Sequence, residues 1–219
     1  MTHADGPVRA LVADPGVRAR LPRLLGEEVV WVSDAQGEEG LVVAARDGAG
    51  ARILAVGRLG RVMDLAAAPD GSRLAVAAHD GRLLLVDPIT GADTELARSD
   101  NGAVADLAFS PDSRWLAWTH PGPDPLSQIK MARVADATVI DATTLCFADF
   151  SPTFTLDGRH LAFLSDRTFD PGYDVQVFDL SFAAGTRPAS AAAGGHHAVA
   201  VCPYRAGPGP PARRERPGW

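Results

Sequence analysis

The sequence lacks the features of a secreted or membrane-spanning protein. It has only two cysteines in 219 residues, and no apolar run approaches the roughly 20 residues of a membrane-spanning helix. The first residues, Met1 to Pro7, lack the basic-then-apolar pattern of a secretory signal. Cys146 is expected in an apolar strand and Cys202 in a segment of different composition, so no structural disulfide is expected. These absences predict a cytoplasmic protein.

The net charge of −6 is unevenly distributed, which bears on the partners of the chain. Residues 183–219 contain five arginines and one glutamate, so the rest of the chain is clearly acidic. An acidic body disfavours nucleic acid, because phosphate binding needs a basic stripe. The basic segment itself is rich in proline and glycine without interleaved aromatics, which predicts disorder over 183–219. Neither nucleic acid nor a membrane is expected as a partner.

Recognisable catalytic motifs are missing as well. No G-x-S-x-G elbow, P-loop or glycine-rich dinucleotide fingerprint is present. His79 beside Asp80, and His160 three residues after Asp157, are conceivable acid–base pairs, but each pair lies at a turn edge where such residues satisfy backbone groups. His196-His197 lacks a second pair of ligands at metal spacing. We therefore predict no catalytic, cofactor-binding or metal-binding residue, and no cofactor.

What the sequence does contain is a short strand-and-turn unit, clearest over residues 62–96. The segment Ala68–Gly71 suits a type I turn, Asp80-Gly81 is a hairpin signal, and Thr90–Ala92 supplies a third reversal. Runs of five to seven residues rich in Val, Leu and Ala lie between these turns. The unit is predicted to be a four-stranded antiparallel meander, as in one blade of a β-propeller.

The unit recurs along the chain. Asp70, Asp112 and Asp157 mark equivalent turns 42 and then 45 positions apart, and a degenerate earlier copy centres on Gly26. A period of about 40–45 residues with this texture is typical of β-propellers. The predicted fold is all-β: a partial propeller of about four blades in an open arc. The expected blades span about 18–57, 58–99, 100–142 and 143–182, after a lead-in or end of a preceding blade at 1–17.

Repeated positions within the blades are predicted to be structural. Asp64 and Asp106 both stand five residues before the turn proline, which favours a repeated local hydrogen bond over an active site. Trp31, Trp115 and Trp118 lie in predicted strands, where blade core is favoured over a stacking platform.

The connections between second and third strands differ in length between blades. The connection at 79–81 is short, whereas those at 120–125 and 165–173 are long. In a meander these connections lie at the end of the blade opposite the first-to-second turns. Because binding residues concentrate on elaborated loops, any ligand is expected at this long-loop face.

Several stretches resemble a known family. Phe109–Asp112, Leu116–Trp118 and Leu161–Arg167 are similar to TolB-like and WD40-like propeller repeats. Trp31–Asp34, Asp80–Asp87 and Ala108–Trp118, with the ordered run from Ser151 to Phe182, resemble the actinobacterial tricorn proteases more closely. The resemblance covers about 18–182 and points to the seven-bladed second propeller of that family.

The resemblance implies a cytoplasmic, homo-oligomeric serine peptidase that trims oligopeptides. In that family the propeller gates and channels peptides towards a catalytic core, with Ser/His/Ser/Glu machinery and a PDZ domain, further along the chain. No catalytic residue can be carried over to this sequence, so the chain is expected to be a non-catalytic propeller fragment. Its expected partners are oligopeptides or proteins at the long-loop face and the remaining blades and catalytic domains of such a protein.

Two other functions stay open at this point. The chain could be a stand-alone WD40-like or TolB-like interaction scaffold, or itself a hydrolase, which would need a nucleophile constellation that the sequence lacks. Because an arc of four blades leaves two apolar sheet faces uncovered, the isolated fragment is also expected to be only marginally stable.

Overall fold

The computed structural model describes residues 16–54, 59–167 and 173–180, and these form four antiparallel sheets. The first sheet contains β1 (Ala19–Leu25), β2 (Glu28–Ser33), β3 (Gly40–Ala45) and β4 (Arg52–Ile53). The second contains β5 (Val62–Ala67), β6 (Leu74–Ala78), β7 (Arg82–Val86) and β8 (Asp93–Arg98). The third contains β9 (Ala105–Phe109), β10 (Trp115–Pro121), β11 (Ser127–Arg133) and β12 (Val139–Asp141). The fourth contains β13 (Asp149–Phe154), β14 (His160–Ser165) and β15 (Asp174–Asp179).

Each sheet is a meander in which every strand pairs with its neighbours in the sequence. The turns follow the residue chemistry expected of them. Gly71 adopts φ +74° and donates its backbone N–H to the Ala68 carbonyl, while the Asp70 carboxylate accepts the N–H of Ser72. The prediction of an all-β chain built from blade-like meanders is confirmed. The predicted disorder of 183–219 falls outside the described residues.

The sheets are joined side by side through their first strands. β1 contacts β5, β5 contacts β9, and β9 contacts β13. This succession is expected of blades that fan out from a common axis with the first strand of each blade innermost. The four sheets form an arc of blades, in agreement with the predicted partial propeller.

Three apolar cores fill the spaces between successive blades. In β6, Leu74 and Val76 belong to the core shared with blade one, whereas Ala75 and Ala77 belong to the core shared with blade three. All four side chains are fully buried. A sheet covered on both faces requires apolar residues at every position of its central strands, which explains the continuous run Leu83–Val86 in β7.

The tryptophans contribute to the packing of the blades. Trp118 is fully buried and Trp31 nearly so. Trp115 is half-buried, packs against the core between blades three and four, and lies 5.6 Å beneath the Arg133 guanidinium. Trp118 and Trp115 therefore belong to the blade cores, as interpreted, and Trp31 is buried within β2.

Two local predictions are wrong. Cys146 lies in a turn, where its N–H bonds to the Thr144 carbonyl, and it is disulfide-bonded, so neither the predicted strand nor the predicted absence of a disulfide is correct. In blade three, β10 continues to Pro121, which pairs with Ser127, so the connection is shorter than the predicted 120–125.

None of the described residues forms a helix long and apolar enough to cross a bilayer.

Candidate functional site

The two ends of the blade arc are built differently. At one end, the turn end, lie the first-to-second and third-to-fourth turns of each blade. At the other, the loop end, lie the second-to-third connections and the entries to the first strands. Residues in the same part of different blades therefore meet at the same end.

At the turn end, hydroxyl and carboxylate side chains close the turns. Ser110 Oγ donates to Asp112 Oδ1 at 2.6 Å, and Thr155 Oγ1 donates to Asp157 Oδ1 at 2.6 Å. The hydrogen bond from Thr155 lowers the pKa of Asp157. At Asp112, burial acts to raise the pKa, but the hydrogen bonds from Ser110 and from a backbone N–H outweigh burial, so the pKa of Asp112 is also lowered.

The histidine–aspartate neighbours also serve the turns. The Asp80 carboxylate accepts a bond from Arg82 Nε at 2.7 Å, and the backbone N–H of His79 donates to the Arg61 carbonyl. The backbone N–H of His160 donates to Thr155 Oγ1. Asp80 and Asp157 therefore both accept hydrogen bonds from side chains of their own turns. His196-His197 lies outside the described residues.

Asp64 and Asp106 form a repeated hydrogen bond that runs between blades. Asp64 Oδ2 accepts the backbone N–H of Leu107 in blade three at 3.0 Å, and Asp106 Oδ2 accepts that of Ser151 in blade four at 3.1 Å. The acceptor and donor are 43 and 45 positions apart in the sequence. A repeated hydrogen bond at these two positions was predicted from the sequence. The expectation that the bond is local was wrong, because each bond joins the inner strands of neighbouring blades.

A cleft of about 680 Å³ opens at the loop end between blades one and two. It lies between the β2–β3 connection and the entries to the inner strands β1 and β5. Its charged lining consists of three arginines and three acids: Arg18, Arg20, Arg61, Asp34, Glu38 and Glu39. Such a cleft has the size of a small-ligand site, for which about 300–1,000 Å³ is typical.

An ion pair that also joins the two blades lies within this cleft. Arg20 binds Glu39 Oε2 at 2.5 Å and donates to the Val62 carbonyl, while the N–H of Val62 donates to the same Glu39 oxygen at 2.7 Å. Burial opposes ionisation of Glu39, but the bonds from Arg20 and Val62 lower its pKa. Arg20 and Glu39 therefore neutralise each other and are held in place.

The remaining charges of the cleft are less constrained. Arg18 and Arg61 are exposed, and neither guanidinium has an acidic partner at salt-bridge distance among the described residues. Asp34 Oδ1 accepts the backbone N–H of Arg18 at 2.7 Å. Glu38 is exposed beside them. The cleft thus offers two available cations next to acceptor oxygens.

Blade three closes its loop-end connection tightly. Gly122 and Leu126 are joined by a backbone hydrogen bond, and a Cβ added at Gly122 would lie 2.5 Å from a Leu145 methyl carbon. At the end of β10, the indole Nε1 of Trp118 donates to His120 Nδ1 at 3.4 Å. Burial, with the nearby Lys130 charge, lowers the pKa of His120, so this imidazole is neutral near pH 7.

Blade four anchors the start of its long connection through Arg167. The guanidinium binds the fully buried Asp149 Oδ2 at 2.6 Å and lies over the rings of Phe147 and Phe163. Ser165 Oγ accepts a further bond from Arg167 Nε. Residues 168–172 of this predicted ligand loop lie outside the described residues.

The predicted long-loop face is thus at the end of the arc that contains the cleft, but the cleft lies between blades one and two and not at the long connections of blades three and four. Sequence reasoning did not single out the 34–39 connection. A signal for it is present in the sequence, because two adjacent acids, Glu38 and Glu39, follow a strand whose partner β1 has an arginine on each side of its first residue, at 18 and 20. Among the described residues, no group of three or more His, Cys, Asp or Glu could hold a metal ion.

Comparison with known proteins gives a consistent result. The family model described as the tricorn protease second β-propeller domain matches residues 1–192. Tricorn protease homolog 1 of Streptomyces coelicolor is 59% identical over 196 residues, covering 86% of this chain and 18% of that protein. Tricorn protease of Thermoplasma volcanium is 32% identical over 139 residues, covering 61% of this chain and 14% of that one. The chain therefore spans less than a fifth of the length of these curated relatives.

Solved structures show the same fold. A crystal structure of the tricorn protease superposes with a TM-score of 0.64 at 24% identity, covering 73% of this chain and 17% of that chain. A putative TolB from Agrobacterium tumefaciens superposes with a TM-score of 0.59 at 16% identity, covering 79% and 62% of the two chains. At these identities the likeness supports the propeller fold alone.

Proposed function

The chain belongs to the tricorn protease family, as its second propeller domain, and from this premise we propose that it is a non-catalytic part of a cytoplasmic, homo-oligomeric serine peptidase. In this proposal the domain receives oligopeptides at its loop end. It passes them along the inner strands towards catalytic groups carried elsewhere in the protein.

The observation that carries the proposal is the position of the cleft. It opens at the loop end, beside the entries to the inner strands β1 and β5. The inner strands also present exposed side chains at Met63, Asp106 and Ser151. A small molecule held in the cleft would therefore lie next to the strands around which the blades fan.

The contacts of the two aspartates that lie close to histidines in the sequence support a non-catalytic role. Asp80 and Asp157, the acids of the two conceivable acid–base pairs, are engaged by Arg82 and by Thr155. A catalytic pair requires the acid to orient the histidine, and here each acid instead stabilises a turn.

The first experiment measures peptide binding and cleavage by the chain itself. Labelled oligopeptides are titrated with the protein by fluorescence anisotropy, and the same mixtures are followed by mass spectrometry. We expect binding without cleavage. Cleavage that a serine-directed inhibitor abolishes would overturn the non-catalytic assignment, and a folded chain that binds no peptide would favour the WD40-like or TolB-like interaction scaffold.

The second experiment tests passage along the inner strands. The matching segment of the Streptomyces coelicolor homolog is replaced by this chain, and peptide hydrolysis is measured with and without Met63→Trp. We expect the bulky side chain on β5 to slow hydrolysis of longer peptides more than that of short chromogenic substrates. Ile89→Trp, at an exposed turn of the same blade, is the matched control and should leave both rates unchanged. Equal rates for both variants would contradict passage along this surface.

A further inference from the structure

We propose that the cleft between blades one and two is a binding site for the free carboxylate end of a short peptide, held by Arg18 and Arg61. This inference rests on the proposed function, since it names the part of the oligopeptide that the loop end recognises. The site is formed by the β2–β3 connection, the start of β1 and the residues before β5.

The first argument concerns which cations are available. Arg20 is occupied by Glu39 and by the Val62 carbonyl, and the N–H of Val62 binds Glu39 in turn. Arg18 and Arg61 line the same cleft and are exposed, with no acidic partner at salt-bridge distance in the described part of the chain. The cleft therefore holds one satisfied arginine and two guanidiniums that can bind a ligand.

The second argument concerns the chemistry of the ligand. A guanidinium matches the planar geometry of a carboxylate and can bind it through two parallel hydrogen bonds. The acids Asp34, Glu38 and Glu39 balance the three arginines of the same cleft, so its lining has no excess positive charge to favour a polyanion such as a phosphate chain. Their oxygens can instead accept the N–H groups of a peptide. A singly charged carboxylate attached to hydrogen-bond donors fits this arrangement.

The third argument concerns size and preorganisation. A cleft of about 680 Å³ has room for the last residues of a peptide. The Arg20–Glu39 pair and the bond between Asp34 and the backbone of Arg18 fix the surrounding segments. Binding would therefore need little rearrangement beyond the two exposed arginine side chains.

The test compares a short labelled peptide with a free C-terminus and the same peptide as its C-terminal amide. Both are titrated against the full chain by fluorescence anisotropy at low salt. We expect the amide to bind about tenfold more weakly, since one charge-assisted hydrogen-bonded contact is lost. An amidated peptide with an acidic last side chain separates the two sources of a carboxylate, and we expect it to bind like the plain amide.

Variants identify the residues involved. Arg18→Gln and Arg61→Gln should each weaken binding of the free acid several-fold, and the double variant at least tenfold, with little effect on the amide. Arg114→Gln, at the exposed turn end, is the matched control. Far-UV circular dichroism and thermal unfolding verify that each variant is folded.

The outcomes separate this inference from the proposed function. If the free acid and the amide bind equally, or if the double variant binds as well as the parent, the carboxylate site is wrong while peptide binding stands. If neither peptide binds to the folded chain, both proposals are wrong. If the acidic side chain restores the affinity of the amide, a side-chain carboxylate is the ligand and recognition of the peptide end is wrong.

Discussion

Asp64 in blade two accepts the backbone N–H of Leu107 in blade three, 3.0 Å away and 43 positions later in the sequence. Its other carboxylate oxygen accepts the N–H of Leu65 and lies 3.5 Å from Arg23 of blade one. One side chain thus links three successive blades at their inner strands. Asp106 repeats the link to Ser151 of blade four. The arc is therefore held together along its inner edge by carboxylates as well as by the apolar cores.

The first prediction concerns this link. Asp64→Ala leaves the N–H of Leu107 without its acceptor in a partly buried position, so we expect the free energy of unfolding to fall by about 2 kcal/mol. Asp64→Asn keeps an acceptor oxygen and should lose less. Urea unfolding followed by circular dichroism measures both. Asp100→Ala, at an exposed position, is the control, and an Asp64→Ala chain as stable as this control would contradict the proposed link.

The second prediction concerns Gly81, which follows the tight turn between β6 and β7. Its φ is +85°, and a Cβ added there would lie 2.0 Å from the carbonyl oxygen of Ser99. Gly37 has a similar φ of +86°, but a Cβ there would have nothing within 4 Å. Gly37→Ala should cost about 1–2 kcal/mol, the cost of a left-handed conformation. Gly81→Ala should cost several kcal/mol, because the backbone of two strands must also move apart.

Chemical denaturation of both glycine variants tests this comparison. Equal losses would show that the backbone near Ser99 accommodates a methyl group, and the close approach would then have no energetic consequence.

The repeat and its turns could be predicted from the sequence because their causes are local. Proline, aspartate and glycine at 69–71 define the turn by their own backbone preferences, and the run Leu83–Val86 is apolar because both faces of the blade are covered. The structure confirms these elements. In blade three, however, β10 extends to Pro121, two residues into the connection expected at 120–125.

The inter-blade contacts could not be predicted, because they depend on irregular backbone far apart in the sequence. Leu21, Asp106 and Ser151 adopt φ of +54° in the inner strands at points where the strand register shifts. Non-glycine residues rarely adopt this conformation, and the identity of the side chain does not predict it. The cleft could not be predicted for the same reason, because its lining brings together residues far apart in the sequence, such as Glu38 of blade one and Arg61 at the entry to blade two.

The third prediction concerns pH. The pKa values of Asp112 and Asp157 are lowered in the fold, although burial opposes the shift at Asp112. Such carboxyls bind protons more readily in the unfolded chain, so their stabilisation is complete above about pH 4 and is lost as the pH falls through the folded pKa. The free energy of unfolding should therefore decrease on acidification.

The double variant Asp112→Asn, Asp157→Asn tests the origin of that decrease. Asparagine keeps an acceptor for the N–H groups of Arg114 and Arg159, so the turns should persist at neutral pH. We expect the variant to lose less stability than the parent between about pH 5 and pH 3, measured by urea unfolding at each pH. Parallel curves for the two proteins would show that other carboxyls cause the acid sensitivity.

The fourth prediction concerns the ion pair at the start of the long connection of blade four. Asp149 is fully buried, its Oδ2 binds Arg167 at 2.6 Å, and its Oδ1 has no hydrogen-bond partner among the described residues. Arg167→Met leaves a buried carboxylate without its cation. Because the Arg167 side chain is itself 32% exposed, we expect a loss of about 3 kcal/mol, at the lower end of the range for a broken buried pair.

A double-mutant cycle separates this charge effect from lost packing of Arg167 against Phe147 and Phe163. If the unpaired charge dominates, Asp149→Asn should recover part of the stability lost in Arg167→Met, so that the double variant is more stable than the sum of the single losses predicts. Arg159→Met, on the exposed turn of the same blade, controls for the general effect of removing a surface arginine. Additive losses would mean that Arg167 acts through its contacts with the two rings, since only the charge effect depends on the state of residue 149.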